Sequence, residues 1–159
     1  MTNKIKDRPR APLSSAATAF VTLQRAADLL GQDLAALLRP YGLSLTQYNV
    51  LRILRGARPA GLPCGEVGAR MINKDPDVTR LLDRMEKQGW IARQRSTTDR
   101  RVVTVHISPA GLALVNQLDL PVNGRHDQTL GRLGKPRLTA LAQELAAVCE
   151  SCGPGAASK

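Results

Sequence analysis

Along residues 13–38 the apolar side chains Phe20, Leu23, Ala27, Leu30, Leu34 and Leu37 recur at steps of three and four, the period at which one face of a helix meets a core. Arg39-Pro40-Tyr41-Gly42 stops that helix. Ser44-x-x-Gln47 has the spacing of a capping box and opens a second helix, whose apolar face is Tyr48, Leu51, Ile53 and Leu54 and whose end lies between Gly56 and Gly61. Pro63 to Met71 reads as a short third helix, with Pro63 in the first turn, where a missing N–H costs little. Met71 to Lys74 is long enough only for a turn. Asp75-Pro76 then restarts a helix with Val78, Leu81, Leu82 and Met85 as its buried stripe. Two short helices joined by a tight turn form a helix-turn-helix unit.

After Gln88-Gly89 the period changes. Ile91 to Arg95 and Arg101 to Ile107 are short β-type runs joined by the polar tip 96–100, which predicts a hairpin, or wing. Ser108-Pro109 pairs an N-cap with a proline and starts a fifth helix through Leu112, Val115 and Leu118, which Pro121 should kink or interrupt. A sixth helix runs from about Lys135 to Glu150 through Leu138, Leu141, Leu145 and Val148. The fold class is therefore mainly α with a small β-wing (α+β). One domain over residues 13–150 is expected, between a flexible basic arm at 1–12 and a disordered tail at 151–159.

The charge distribution adds a partner class. The 159-residue chain has a formal net charge of +10, which points to a polyanion. Lys4, Lys6, Arg8 and Arg10 in the arm face only Asp7, and Arg93, Arg95, Arg100 and Arg101 in the wing face only Asp99. Residues 63–90 hold five cations and five anions, so arm and wing must supply most of the electrostatic attraction. No stretch approaches the roughly 18 apolar residues of a membrane span, and the N-terminus lacks an apolar signal segment, so a cytoplasmic protein without a membrane partner is expected. Three cysteines do not describe a disulfide-stapled secreted domain. No paired-carboxylate, triad or phosphate-loop constellation is present. No catalytic residue, metal site or cofactor is therefore expected.

The run LSLTQYNVLRIL at 43–54, together with DPDVTRLLDRMEKQGWIARQRSTTDRRVVTVHISPAGLALV at 75–115, resembles the MarR (multiple antibiotic resistance regulator) family. The resemblance implies six helices and a wing, with a winged helix-turn-helix lobe over 44–107 and dimerisation helices at 13–39 and 108–150. It further implies a homodimeric, sequence-specific regulator of transcription that binds an inverted repeat in double-stranded DNA, as a repressor released by a small, often phenolic, ligand.

A helix in the major groove offers its N-terminal outward residues to base edges. Here these are Pro76, Asp77, Thr79, Arg80, Asp83 and Arg84, with Asn73 and Lys74 on the preceding turn and Arg95 on the wing. Arg80 has the geometry for a bidentate contact to guanine; the alternative is that Arg80 and Arg84 pair with Asp77 and Asp83 on a solvated face. Asp77 stands where the family has a small hydroxyl residue, and an acid there accepts from cytosine while repelling phosphate. The resemblance assigns Asp99 and Arg101 at the wing tip, beside Arg100, to minor-groove insertion. Phe20, Tyr41 and Tyr48 are candidates to line a cleft for an aromatic ligand, or are simply core. Cys64 near a helix start and the pair Cys149 and Cys152 offer a redox trigger, or are inert. The rival functions are a thiol–disulfide oxidoreductase, disfavoured because its C-x-x-C belongs at a helix start, and a non-specific architectural DNA binder.

Overall fold

The computed structural model describes residues 14–72, 77–95 and 103–152. Among these residues the order is α1 (Ser15–Leu38), α2 (Leu45–Gly56), β1 (Leu62–Pro63), α3 (Cys64–Arg70), α4 (Val78–Lys87), β2 (Ile91–Arg95), β3 (Val103–Ile107), α5 (Pro109–Gln117), α6 (Asp119–Thr129) and α7 (Lys135–Cys152). Short 3-10 turns occupy Arg39–Tyr41 and Leu130–Leu133. The fold is α+β, a winged helix-turn-helix between long flanking helices.

Helix starts follow the side-chain chemistry. The Ser44 hydroxyl accepts from the Gln47 N–H at 3.2 Å and the Gln47 side chain accepts from the Ser44 N–H at 2.9 Å, completing the capping box. Ser108 accepts from the Gly111 N–H at 3.0 Å, and its hydroxyl donates to the Gly89 carbonyl at 2.6 Å. One serine thus starts α5 and fastens it to the turn after α4. Gly111 has no room for a side chain, because a Cβ there would lie 2.1 Å from the Trp90 carbonyl oxygen.

The core gathers Leu38, Leu51, Leu54, Val67, Leu82, Met85, Val105, Val115 and Leu118, all essentially inaccessible to water. Helix α2 lies at its centre, packed against α1, α3, α5 and β3. That position explains why Val50 is buried as well as the expected Tyr48, Leu51 and Leu54, since neighbours cover more than one side of α2. Strand β3 is the middle of an antiparallel sheet, with Arg95 opposite Val103 and Ile91 opposite Ile107 on one side and Leu62 opposite Val105 on the other.

Several local expectations are corrected. Pro63 pairs with Thr104 as the end of β1, because its extended backbone (φ −57°, ψ 145°) suits an edge strand that needs no N–H from it; α3 begins one residue later. Helix α4 begins at Val78, later than Asp75-Pro76 suggests, because Asp77 supplies the cap. The proline-interrupted fifth helix resolves into α5 and α6, with α5 ending at Gln117, whose carbonyl would need the N–H that Pro121 lacks. Helix α7 continues through Ser151 and Cys152.

The apolar stripe of α1 divides. Leu34, Leu37 and Leu38 join the core, whereas Phe20, Val21, Leu23 and Leu29 are exposed, as are Leu120 on α6 and Leu141 and Val148 on α7. No residue of α7 is buried. No described helix is long and apolar enough to cross a membrane.

Candidate nucleic-acid interface

Helix α4 is defined at both ends. The Asp77 carboxylate accepts from the Arg80 N–H at 3.1 Å, satisfying an orphan donor and placing negative charge at the positive end of the helix dipole. At the other end Gly89 adopts φ +73°, its N–H donating to Glu86 at 2.8 Å while Trp90 N–H donates to Met85 at 3.0 Å, the paired bonds of a Schellman stop. Between these ends Leu81, Leu82 and Met85 are buried, and Thr79, Arg80, Arg84 and Lys87 face outward into solvent.

Arg80 is the most exposed of the paired cations, with 80% of its side chain accessible, and its Nε lies 3.0 Å from Asp77 Oδ2. The alternative foreseen for Arg80, pairing with Asp77 on a solvated face, is therefore what the structure contains. A rim ion pair of this kind contributes about 0.5 kcal/mol, little enough for Arg80 to exchange it for a base edge. Asp77 is engaged as cap and counter-ion and is not a free acid aimed at the groove.

Asp83 pairs across to the wing. The Arg93 guanidinium on β2 donates to Asp83, lies 3.6 Å from Glu86 and donates to the Thr79 carbonyl at 3.1 Å. The Arg93 N–H also donates to Glu86 at 3.0 Å. Only 20% of the Arg93 side chain is accessible. The sequence counts this arginine as wing charge; the structure makes it a brace that holds β2 against α4 and neutralises two carboxylates on the helix. Its signal was available in the alternation of β2, where every second residue from buried Ile91 turns toward α4. Arg95, the next in that alternation, is exposed at the strand end.

Asn73, Lys74, Pro76, Asp99, Arg100 and Arg101, together with the basic arm, lie outside the described residues.

Behind this surface a cleft of about 380 Å³ opens between α1, α2, α6 and Ile72. Ala27, Gly31, Leu34, Leu45 and Tyr48 give it an apolar wall, and Thr46, Asn49, Arg52 and His126 supply polar groups. The Arg52 guanidinium stands 5.9 Å from the Tyr48 ring centre, within cation–π range. Of the three aromatic candidates the structure brings only Tyr48 to the cleft. Phe20 stands 62% exposed on α1, about two turns before Ala27, and Tyr41 packs against the core at the 3-10 turn.

One ion pair ties the flanking helices to the winged lobe and a second ties two flanking helices to each other. Arg55 on α2 makes a two-pronged contact to Asp119 on α6, at 2.8 and 3.0 Å, and donates to Asn116 at 3.0 Å. The hydrogen bonds from Arg55 hold the Asp119 carboxyl below the usual carboxylate range, and Asp119 in turn raises the Arg55 guanidinium. Arg125 on α6 pairs with Asp33 on α1. Cys64 is half-buried, while Cys149 and Cys152 are exposed, and all three are free thiols. No cluster of three potential metal ligands occurs among the described residues.

A family model described as the MarR family matches residues 43–103. The crystal structure of a MarR transcription factor from Planctomyces limnophilus is 33% identical, with a TM-score of 0.65 over 87% of this chain and 99% of that one. The chain belongs to the MarR family. Among curated relatives, the HTH-type transcriptional regulator PecS of Dickeya dadantii is 36% identical over 99 residues, 61% of this chain but only 59% of PecS. The match thus spans less than two-thirds of that relative's length. A transcriptional repressor named CouR, solved on a 23-mer DNA duplex, is 26% identical with a TM-score of 0.72, covering 87% of this chain and 99% of that one.

Proposed function

We propose that this MarR-family chain is a sequence-selective regulator of transcription that binds double-stranded DNA through α4 and the wing, and is not an enzyme. The observation that carries this reading is the two-sided construction of α4. Leu81, Leu82 and Met85 fix its inner face, while Thr79, Arg80, Arg84 and Lys87 stand exposed on a helix capped and braced at fixed positions, the presentation required of a helix that reads a groove. The repressor CouR, solved on DNA, supports the same use. Arg80, Arg84 and Thr79 would meet base edges or phosphates, Arg95 the backbone beside the wing, and Asn73, Lys74, Pro76, Asp99, Arg100 and Arg101 belong to the same proposed interface.

The exposed apolar residues of α1, α6 and α7 support a homodimer, and two-fold symmetry then calls for an inverted repeat with half-sites about one helical turn apart. The cleft supports control by a small ligand. Its apolar wall with Arg52, His126 and Tyr48 at hand suits an aromatic or otherwise apolar anion, and a second structural neighbour, CouR from Rhodococcus jostii RHA1, has been solved with p-coumaroyl-CoA. The function is that of a repressor released when this cleft fills. A redox trigger would use Cys149 and Cys152, which stand exposed three residues apart on α7.

Enrichment of random-sequence DNA on the purified full chain, followed by fluorescence anisotropy with the enriched and a scrambled duplex at two salt concentrations, tests the proposal. Selective, tight binding to an inverted repeat is expected. Equal, salt-sensitive binding to both duplexes would mark an architectural DNA binder instead.

A further inference from the structure

The cleft and the helix-turn-helix share one hydrogen bond. The Asn49 side-chain oxygen accepts from the backbone N–H of Ile72 at 3.0 Å. Asn49 sits on α2 and lines the cleft; Ile72 follows the end of α3, lines the same cleft and is 83% exposed. The backbone here has left the helix: Met71 is extended, at φ −66° and ψ 140°, and its own N–H reaches back to Gly68 through a long 3.4 Å bond. The Ile72 N–H is therefore held from outside α3, by a side chain whose other neighbours form a ligand-sized space.

We propose that Asn49 is the latch through which occupancy of the cleft is passed to the recognition helix. The inference rests on the reading of the cleft as a regulatory site. Helices α3 and α4 pack closely enough to carry the movement: a Cβ on Gly68 would lie 3.1 Å from Val78 Cγ2, so a displacement of the end of α3 bears on the start of α4. The bond is also suited to switching. With Ile72 so exposed, its N–H gains water when Asn49 lets go, so no buried donor is stranded and the fold survives release. An occupant acts on both partners at once, by offering a donor to the Asn49 oxygen and by pressing on the Ile72 side chain at the rim. Tyr48, one residue before Asn49, is buried in the core, so α2 itself stays fixed and the exposed partner, Ile72 just beyond α3, yields.

A permanent occupant tests this without knowledge of the ligand. Gly31 lines the cleft, and a Cβ there would be 3.8 Å from Leu45, an ordinary contact, so Gly31→Phe sends a ring into the space; Ala27→Phe serves if that variant fails to melt cooperatively. Affinity for the enriched duplex and amide exchange at Ile72 are measured in the full chain with Asn49 intact, with Asn49→Ala and with Asn49→Asp, which keeps the acceptor. The filled cleft should weaken binding at least about fivefold, the lower end of typical coupling, and speed exchange at Ile72 when Asn49 or Asp occupies the position. With Asn49→Ala the filled cleft should leave affinity within twofold. An equal loss with Asn49→Ala overturns the latch and leaves the regulatory cleft standing. No loss in any background overturns both, and a chain that enriches no DNA sequence removes the regulator reading on which they depend.

Discussion

Replacing Arg93 by methionine removes the brace between wing and recognition helix while keeping a side chain of similar reach. Three contacts vanish, to Asp83, to Glu86 and to the Thr79 carbonyl; the backbone bond from Arg93 N–H to Glu86 remains. Breaking a fully buried ion pair costs about 3–5 kcal/mol. Here Asp83 and Glu86 remain 46% and 41% accessible and can be hydrated, so the destabilisation should be nearer 1–2 kcal/mol. Binding suffers separately. Residues 77–95 carry five cations and three anions, and the substitution deletes one cation while uncovering two carboxylates on the helix proposed to face DNA. A penalty of similar size, about 1.4 kcal/mol, is tenfold in affinity. Because the helix also loses its orientation, the loss should fall mainly on the enriched duplex and compress the ratio of enriched to scrambled binding. Urea unfolding gives the stability change and anisotropy at several salt concentrations gives the ratio. An equal loss on both duplexes, with the salt slope lower by about one phosphate contact, would show that Arg93 touches DNA directly and that the brace is incidental.

Asp77→Ala should lose about 1 kcal/mol of stability by thermal or urea unfolding through loss of the α4 cap, whereas Asp77→Asn should lose much less, since asparagine caps equally well; equal losses would mean that the ion pair to Arg80 matters and the cap does not. The Asp119 carboxyl is held below its usual range by Arg55, so its contribution is fully present above the unfolded carboxylate value near 4 and disappears as pH falls through the folded value. Asp119→Asn should therefore be less stable than wild type by under about 1 kcal/mol at pH 7 and indistinguishable from it once the pH has fallen below the folded value, as urea titrations across the acid range will tell. Gly111→Ala should cost about 3 kcal/mol and roughly 10 °C in Tm, because the new Cβ meets backbone rather than a movable side chain; calorimetry showing a smaller shift would mean that α5 slides away from Trp90.

What could be read from the sequence was whatever local chemistry decides. Ser44 with Gln47, Ser108 with Pro109 and the buried stripe of α4 are settled within a few residues, and the structure has each where the pattern put it. Errors arise where a residue's fate depends on distant neighbours. Pro63 suits a helix start as well as an edge strand, and only the presence of Thr104 across from it decides. Phe20 and Leu23 continue the α1 stripe faithfully, yet both stand exposed among the described residues. In the candidate interface, the outward positions of α4 followed from helical period. The diversion of Asp83 and Arg93 into mutual contact, and of Asp77 into capping, needed the distance between wing and helix, which no spacing along the chain reveals. The cleft was legible only as an expectation of aromatic lining. Its polar residues Asn49, Arg52 and His126 come from two helices whose approach is set by the core.

The unburied state of α7 has a consequence for how the protein behaves when dilute. An 18-residue helix with no fully buried side chain and with only Leu138 and Leu145 half-buried gains little from its own chain beyond its intrinsic propensity, and isolated helices of that length are marginal in water. On the proposed homodimer reading, a second copy of the chain supplies the rest of its order, and folding of this segment becomes a bimolecular event. Helical signal in the far ultraviolet should fall as the protein is diluted through its association constant, and the melting temperature should climb with concentration. In a cell, the number of copies present would set how much of the protein is completely formed, so synthesis of the chain would itself tune its competence, before any ligand arrives.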